Sequence, residues 1–336
     1  LNASGGTPAT YLDGDARQNI TVRNTSVSTI LDDGTGIGNV YTFTPDDTTH
    51  GLLSVTRALN YDGNLINAIQ DNVETSHPNS FSMSADYTAN RDMGTLNNAD
   101  RASFTIFGNG NSISRGANAG ITVNSGDTLN IDSVAEFSGT SDYAVQNNGT
   151  LDFSGTNSID KITGTNGTTN VNDGSTTIDS LTQNTVNITS GELEVTNLET
   201  NTLSNEGTLT LKGTSDATTI TGTNGITNIN GGKTTVGSLN QNSVSIVAGE
   251  LETSSITTSD NTVSNAGILT LTGTSNSNTI SGEGKTVIAG ANFNNSALIN
   301  QNVEINNGSK LTSTLSKLGG TIKNLGTLLT TGNLTK

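Results

Sequence analysis

The sequence predicts an all-β chain wound into a right-handed parallel β-helix, a solenoid preceded by a distinct N-terminal head or capping module. Three observations lead there. Short runs alternate apolar with polar residues, the runs recur in units of about 59 residues, and the chain is poor in the large side chains that a single central core needs.

The alternation is plain in Thr208-Leu209-Thr210-Leu211, Val244-Ser245-Ile246 and Val303-Glu304-Ile305. A period of two sends one side of a strand inward and the other outward. The repeat is equally direct. Val145-Gln-Asn-Asn-Gly149 returns as Leu203-Ser-Asn-Glu-Gly207, Val263-Ser-Asn-Ala-Gly267 and Ile322-Lys-Asn-Leu-Gly326. Gln183-Asn184, Gln241-Asn242 and Gln301-Asn302 keep the same offsets, as do Gly191-Glu-Leu-Glu194 and Gly249-Glu-Leu-Glu252. Equivalent apolar pairs return after roughly 20 residues, so each unit is expected to hold about three coils, stacked at the inter-strand spacing of about 4.8 Å. That stacking predicts Val186, Val244 and Val303 in one internal row, Leu193, Leu251 and Leu311 in another, and about 12 turns in a rod roughly 55 Å long.

Composition supports the solenoid. Only 30% of the 336 residues are apolar and 4% aromatic, with no Trp. Low hydropathy and a net charge of -16 would also fit disorder, but charged residues make up only 13% of the chain, and Thr, Asn, Ser and Gly take their place. β-Branched residues punctuated by Gly and Asn describe strands and turns instead. The pI near 4.2 argues against a nucleic-acid partner. No cysteine is present, so neither disulfides nor thiolate metal sites are available, a weak pointer to bacterial secretion. No run of about 18 apolar residues offers a membrane span, and the N-terminal residues do not read as a signal peptide, so a mature or trimmed fragment is expected.

The first 100 residues differ from the rest. All three Pro (Pro8, Pro45, Pro78), both His (His50, His77) and four of the five Tyr lie there; every Arg falls at or before Arg115, and every Lys at or after Lys161. Residues 1–100 are therefore read as the head or capping module and 101–336 as the β-helix. Within the head, Leu65, Ile66, Ile69 and Val73 stand at helical spacing after Asp62, and Val40-Tyr-Thr-Phe43 reads as a strand. A solenoid needs its open end covered, and such a module can cover it.

Phe104-Thr-Ile-Phe-Gly-Asn-Gly-Asn-Ser-Ile113, together with the recurring Asn205-Glu-Gly-Thr-Leu-Thr-Leu211 and Asn265-Ala-Gly-Ile-Leu-Thr-Leu271, resembles the passenger domain of a bacterial autotransporter adhesin. The likeness covers roughly residues 101 to 336. It implies export through a C-terminal membrane β-barrel that this sequence does not contain, a cell-surface or secreted location, and adhesion. The implied partners are host-cell proteins or glycans, or identical chains on neighbouring cells. The alternatives are a non-binding stalk and, further off, a β-helical enzyme acting on polysaccharide.

Candidate chemistry is sparse. An enzyme would need carboxylates clustered on one lateral face. Glu192, Glu194, Glu250 and Glu252 recur between copies, whereas an active site should occur once, so no catalytic residue is assigned. Asp13, Asp15, Asp32, Asp33, Asp46 and Asp47 are read as turn residues. No cofactor is expected: Asp13-Gly-Asp15 and Asp32-Asp33-Gly could supply oxygen ligands to a structural Ca²⁺, yet neither fits a known calcium loop. Gly34-x-Gly36-x-Gly38 lacks the helix and Lys-Ser/Thr of a phosphate loop, and His50 and His77 are too far apart in sequence to pair on a metal. Asn-x-Ser/Thr sequons follow from composition. For binding, Tyr11, Tyr41, Tyr61 and Tyr87 are the candidates if the head makes contact. Thr208, Thr210 and Thr270 are the candidates if polar ladders along the rod do so. A flat hydroxyl array of the ice-binding kind is disfavoured, because Thr-x-Thr occurs irregularly.

Overall fold

The structure, a computed structural model, describes residues 27–32, 38–44, 54–60, 65–70, 80–96 and 103–331, apart from 261, 276–278 and 291. Its strands form a parallel β-solenoid.

Each coil is triangular, with three short strands that we call faces A, B and C in chain order. The strand Ser175–Ile188 shows how little separates them: residues 175–178 lie on B, 180–183 on C and 185–188 on A, with Asp179 and Asn184 as exposed single-residue corners. Along each strand every second side chain points inward. Burying each inward Leu, Ile or Val contributes about 1.5–3 kcal/mol, which is why the alternation dominates the sequence. Coils near the N-terminus are wider. Ile106 pairs with Ile131 and Ile131 with Phe153, steps of 25 and 22 residues, and Phe104, Phe137 and Phe153 fill the extra space. Later coils are narrower and are packed with Val, Leu and Ile.

Before the solenoid, β1 (Val27–Asp32), β2 (Gly38–Thr44) and β3 (Ser54–Asn60) form an antiparallel sheet. The expected helix is present as α1 (Leu65–Gln70). Leu65, Ile66, Ala68 and Ile69 are all buried, and α1 packs on β4 (Ser80–Ser82) and β6 (Gly94–Leu96), covering the apolar interior of the first described coil. Val73 lies outside the described residues. Parallel pairing already starts at β4, β5 (Tyr87–Thr88) and β6, which stack on 104–107, 112–114 and 121–123. The first coil thus lies within the stretch that composition assigns to the head.

Repeat-equivalent residues do not stack on one another. Thr185 pairs with Thr202 and Thr202 with Thr219, a 17-residue coil, while Thr219 pairs with Ser238, a 19-residue coil. A unit of about 59 residues therefore winds about three and a third coils, and each copy begins one face further round. Val145 sits on face C, Leu203 on A, Val263 on B and Ile322 on C again, and ten successive pairings lead from Val145 to Ile322. The single row expected of Val186, Val244 and Val303 is in fact three rows, one per face, because coil length does not divide the repeat three times. Leu193, Leu251 and Leu311 are spread over B, C and A in the same way.

The recurring Asn and Gln have a common structural cause. Asn205 Nδ2 donates to Gln241 Oε1 (2.6 Å) and to Ile226 O (2.9 Å), while Asn205 Oδ1 accepts from Gly207 N (3.0 Å). Both amides are buried, two coils apart, and the coil between them passes as Gly222-Thr-Asn-Gly225. Gln241 Nε2 donates to Gly222 O (3.2 Å). The same clamp joins Asn147 to Gln183 across Gly164 (2.7 Å), and Asn265 to Gln301 across Gly282 (2.7 Å, with the Gln301 oxygen turned to Asn265). The three clamps occupy three different corners of the prism.

Candidate interaction surfaces

Face A carries an unbroken row of hydroxyl side chains among the described residues. One outward position per coil holds Thr128, Thr150, Thr168, Thr185, Thr202, Thr219, Ser238 and Ser255, in eight consecutive coils. Beside it run Thr105, Asn130, Asp152, Asn170, Asn187, Ser204 and Thr221. Side chains of this second row link coil to coil: Asn130 donates to Thr105 Oγ1 (3.1 Å), Asn170 to Asp152 Oδ1 (2.6 Å) and Asn187 to Asn170 Oδ1 (2.8 Å). Asp152 is the one charge among these fifteen residues, so the strip is nearly uncharged on a chain of net charge -16. The β-branched Thr favours the strand, and its side chain stands on the outward side.

Face C differs in being charged and locally balanced. Two outward rows run along it: Thr214, Lys233, Glu250, Ile268, Lys285 and Asn302, and beside them Asp216, Thr235, Glu252, Thr270, Val287, Glu304 and Lys323. Lys233 reaches Glu252 (2.6 Å) and Glu250 (3.8 Å), and Glu304 is gripped by Lys285 (2.8 Å) and Lys323 (2.9 Å). Between the two groups lies a shallow depression floored by Ile268, Thr270 and Val287. The carboxylates here are engaged with lysines, an arrangement suited to holding charge in place. The hydrogen bonds from Lys285 and Lys323 hold the Glu304 carboxyl down to about 2, the opposite direction from that required of a general acid.

A pH prediction follows. Because the folded-state pKa is lowered, these pairs contribute stability fully above the ordinary value of 4.5 and lose it as pH falls through about 2. Carboxyl ¹³C titration should place the Glu304 midpoint near 2. Lys285→Ala should move it back toward the ordinary value, and an unchanged midpoint in that variant would rule out the pairing as its cause.

The residues expected from the sequence to bind are not brought together. Tyr11 and Tyr61 lie outside the described residues, as does the side chain of Tyr41 on β2. Tyr87 is partly buried against the core and meets the backbone of Ile66, so it fastens α1 to the first coil; burial pushes its hydroxyl pKa up. Thr208 and Thr210 stand on face B, beside Glu192 and Glu194. Thr270 is on face C, buried, with its hydroxyl on Glu250 (3.1 Å). The continuous hydroxyl row is elsewhere, and its members follow one another at 22, 18, 17, 17, 17, 19 and 17 residues, which conceals it in the sequence. The recurring Glu192/Glu194 and Glu250/Glu252 likewise fall on different faces, B and C.

Among the described residues no group of three His, Asp or Glu is placed to hold a metal ion. Asp13, Asp15, Asp33, Asp46, Asp47, His50 and His77 lie outside them. Comparison with protein families, curated proteins and solved structures finds no match to this chain.

Proposed function

We propose that this chain is the adhesive rod of a secreted cell-surface protein of the autotransporter type, which attaches to neutral glycans or proteins through face A. The observation that supports this reading is the eight-coil hydroxyl row beside a second row of Asn, Thr, Ser and Asp, with one charge in fifteen residues. An acidic chain is repelled by acidic cell surfaces over most of its length, and a neutral strip is where contact costs least. Each hydrogen bond contributes about 0.5–1.5 kcal/mol net. Strength then comes from many bonds on one strip and from many rods on one cell. The solenoid suits export as well, since coils contact only their neighbours and folding can propagate from one end.

Beads coated with the chain should attach to cell monolayers well above uncoated beads. Replacing Thr168, Thr185 and Thr202 by Glu should cut attachment by tenfold or more while circular dichroism stays unchanged. If wild-type beads attach no better than bare ones, the adhesive reading fails and a passive spacer takes its place. If the triple variant attaches normally, face A is not the contact.

A further inference from the structure

We infer that face C is a self-association surface on which two copies of this chain pair antiparallel, about a two-fold axis through Ile268. Isologous pairing requires a patch that is complementary to itself, residue i meeting residue j and j meeting i. The two outward rows of face C have this property. A two-fold axis along the strand at Ile268 reverses the order of the coils and sets each row against its own counterpart.

Glu250, one coil before Ile268, then faces Lys285 of the other copy, one coil after it, and the reverse contact forms at the same time. Three coils out, Asp216 faces Lys323 of the other copy, again twice over. At the axis Ile268, 36% exposed, meets its own copy. The remaining charges face neutral residues: Lys233 opposite Asn302, Glu252 opposite Val287, Glu304 opposite Thr235. A two-fold axis along the rod would instead set one row on the other, placing Glu250 on Glu252 of the other copy and Lys285 on Val287. The innermost acidic residue has no close lysine in its own chain: Glu250 accepts from Thr270 Oγ1 (3.1 Å), while Lys233 lies 3.8 Å from it but 2.6 Å from Glu252. The patch holds three Lys (Lys233, Lys285, Lys323) against Asp216 and three Glu (Glu250, Glu252, Glu304), close to balance, so two chains of net charge -16 can meet here with little local repulsion.

The contact spans seven coils, about 29 Å by strand spacing, and is two outward residues wide. That places it near or below the ~1,200 Å² low end of specific interfaces, so pairing is weak in solution and gains strength from many copies. Pairing does not depend on the adhesive role of face A. It adds to that reading a second contact, with the chain itself, and the antiparallel sense favours rods arriving from opposite sides over neighbours on one surface.

The test is sedimentation velocity on the purified chain from low micromolar to several hundred micromolar. Wild type should show a dimer that grows with concentration and weakens with salt. Glu250→Lys and Lys285→Glu, each of which sets like charges face to face, should lower the association constant at least fivefold. An equimolar mixture of the two variants should restore it to within about twofold of wild type, as should the double variant E250K/K285E alone. Circular dichroism confirms that each variant folds. Wild type that stays monomeric throughout overturns the proposal, as do dimers indifferent to both single changes or a mixture that does not recover. A monomeric chain whose coated beads still attach to cells ends the pairing and leaves the function of face A standing.

Discussion

Gly222→Ala is expected to lower the stability of the solenoid by about 3 kcal/mol or more. Gly222 has φ +138°, which L side chains rarely adopt, and an added Cβ would stand 1.8 Å from the Asn205 carbonyl oxygen. Neither the backbone nor the oxygen can give way cheaply, because Asn205 is held by Gln241 from the coil beyond. In a solenoid the damage is local to neighbouring coils. Urea unfolding followed by circular dichroism should shift to lower denaturant, and hydrogen exchange should show protection lost around residues 205–241 and kept near Phe104. Gly126→Ala is the control: φ is +91°, but nothing lies within 4 Å of the added carbon, so it should cost about 1 kcal/mol. Equal losses from the two substitutions would mean that backbone conformation matters and the amide clamp does not.

Removing Arg115 is expected to cost about 3–5 kcal/mol. This guanidinium is fully buried and ties three coils together: it donates to Asp160 Oδ2 (2.5 Å), to Ser141 Oγ and to Asn118 O (3.3 Å). Asp160 in turn accepts from the backbone N–H of Gly139 (2.9 Å) and Lys161 (2.6 Å). Arg115→Ala leaves a cavity and a half-buried carboxylate without its cation. Arg115→Met keeps most of the volume, and Arg115→Met with Asp160→Asn removes the stranded charge too. Thermal melts of wild type, Arg115→Met, Asp160→Asn and the double variant, read as a double-mutant cycle, should give a coupling of about 2 kcal/mol or more. Additive losses would show that Arg115 acts by packing alone.

Much of this architecture is legible in the sequence because its causes are local. Thr208-Leu209-Thr210-Leu211 has to be a strand with two faces, and Leu65, Ile66 and Ile69 have to share one side of a helix. The Asn-x-Gly and Gln-Asn anchors are legible as a repeat, but not as a clamp, since their partners are 36 residues apart and meet only when the coil length is known. The same ignorance hides the rows. Thr185, Thr202 and Thr219 line up because the coils there take 17 residues; Thr128 and Thr150 line up because theirs takes 22. Alternation fixes which residues point outward, and coil length fixes which of them become neighbours. That is why Thr208, Thr210 and Thr270 look like one ladder in the sequence and lie on two faces in space.

The mismatch between repeat and coil has an evolutionary consequence. Repeated units invite recombination, which adds or deletes one copy at a time. Here a gained unit joins smoothly, since every strand keeps its alternation and every clamp still falls at a corner, but everything beyond the junction swings in azimuth by a third of a revolution. A lineage that changes its copy number thus changes the compass bearing of whatever the far end carries, and only a change of three copies returns it to the original heading.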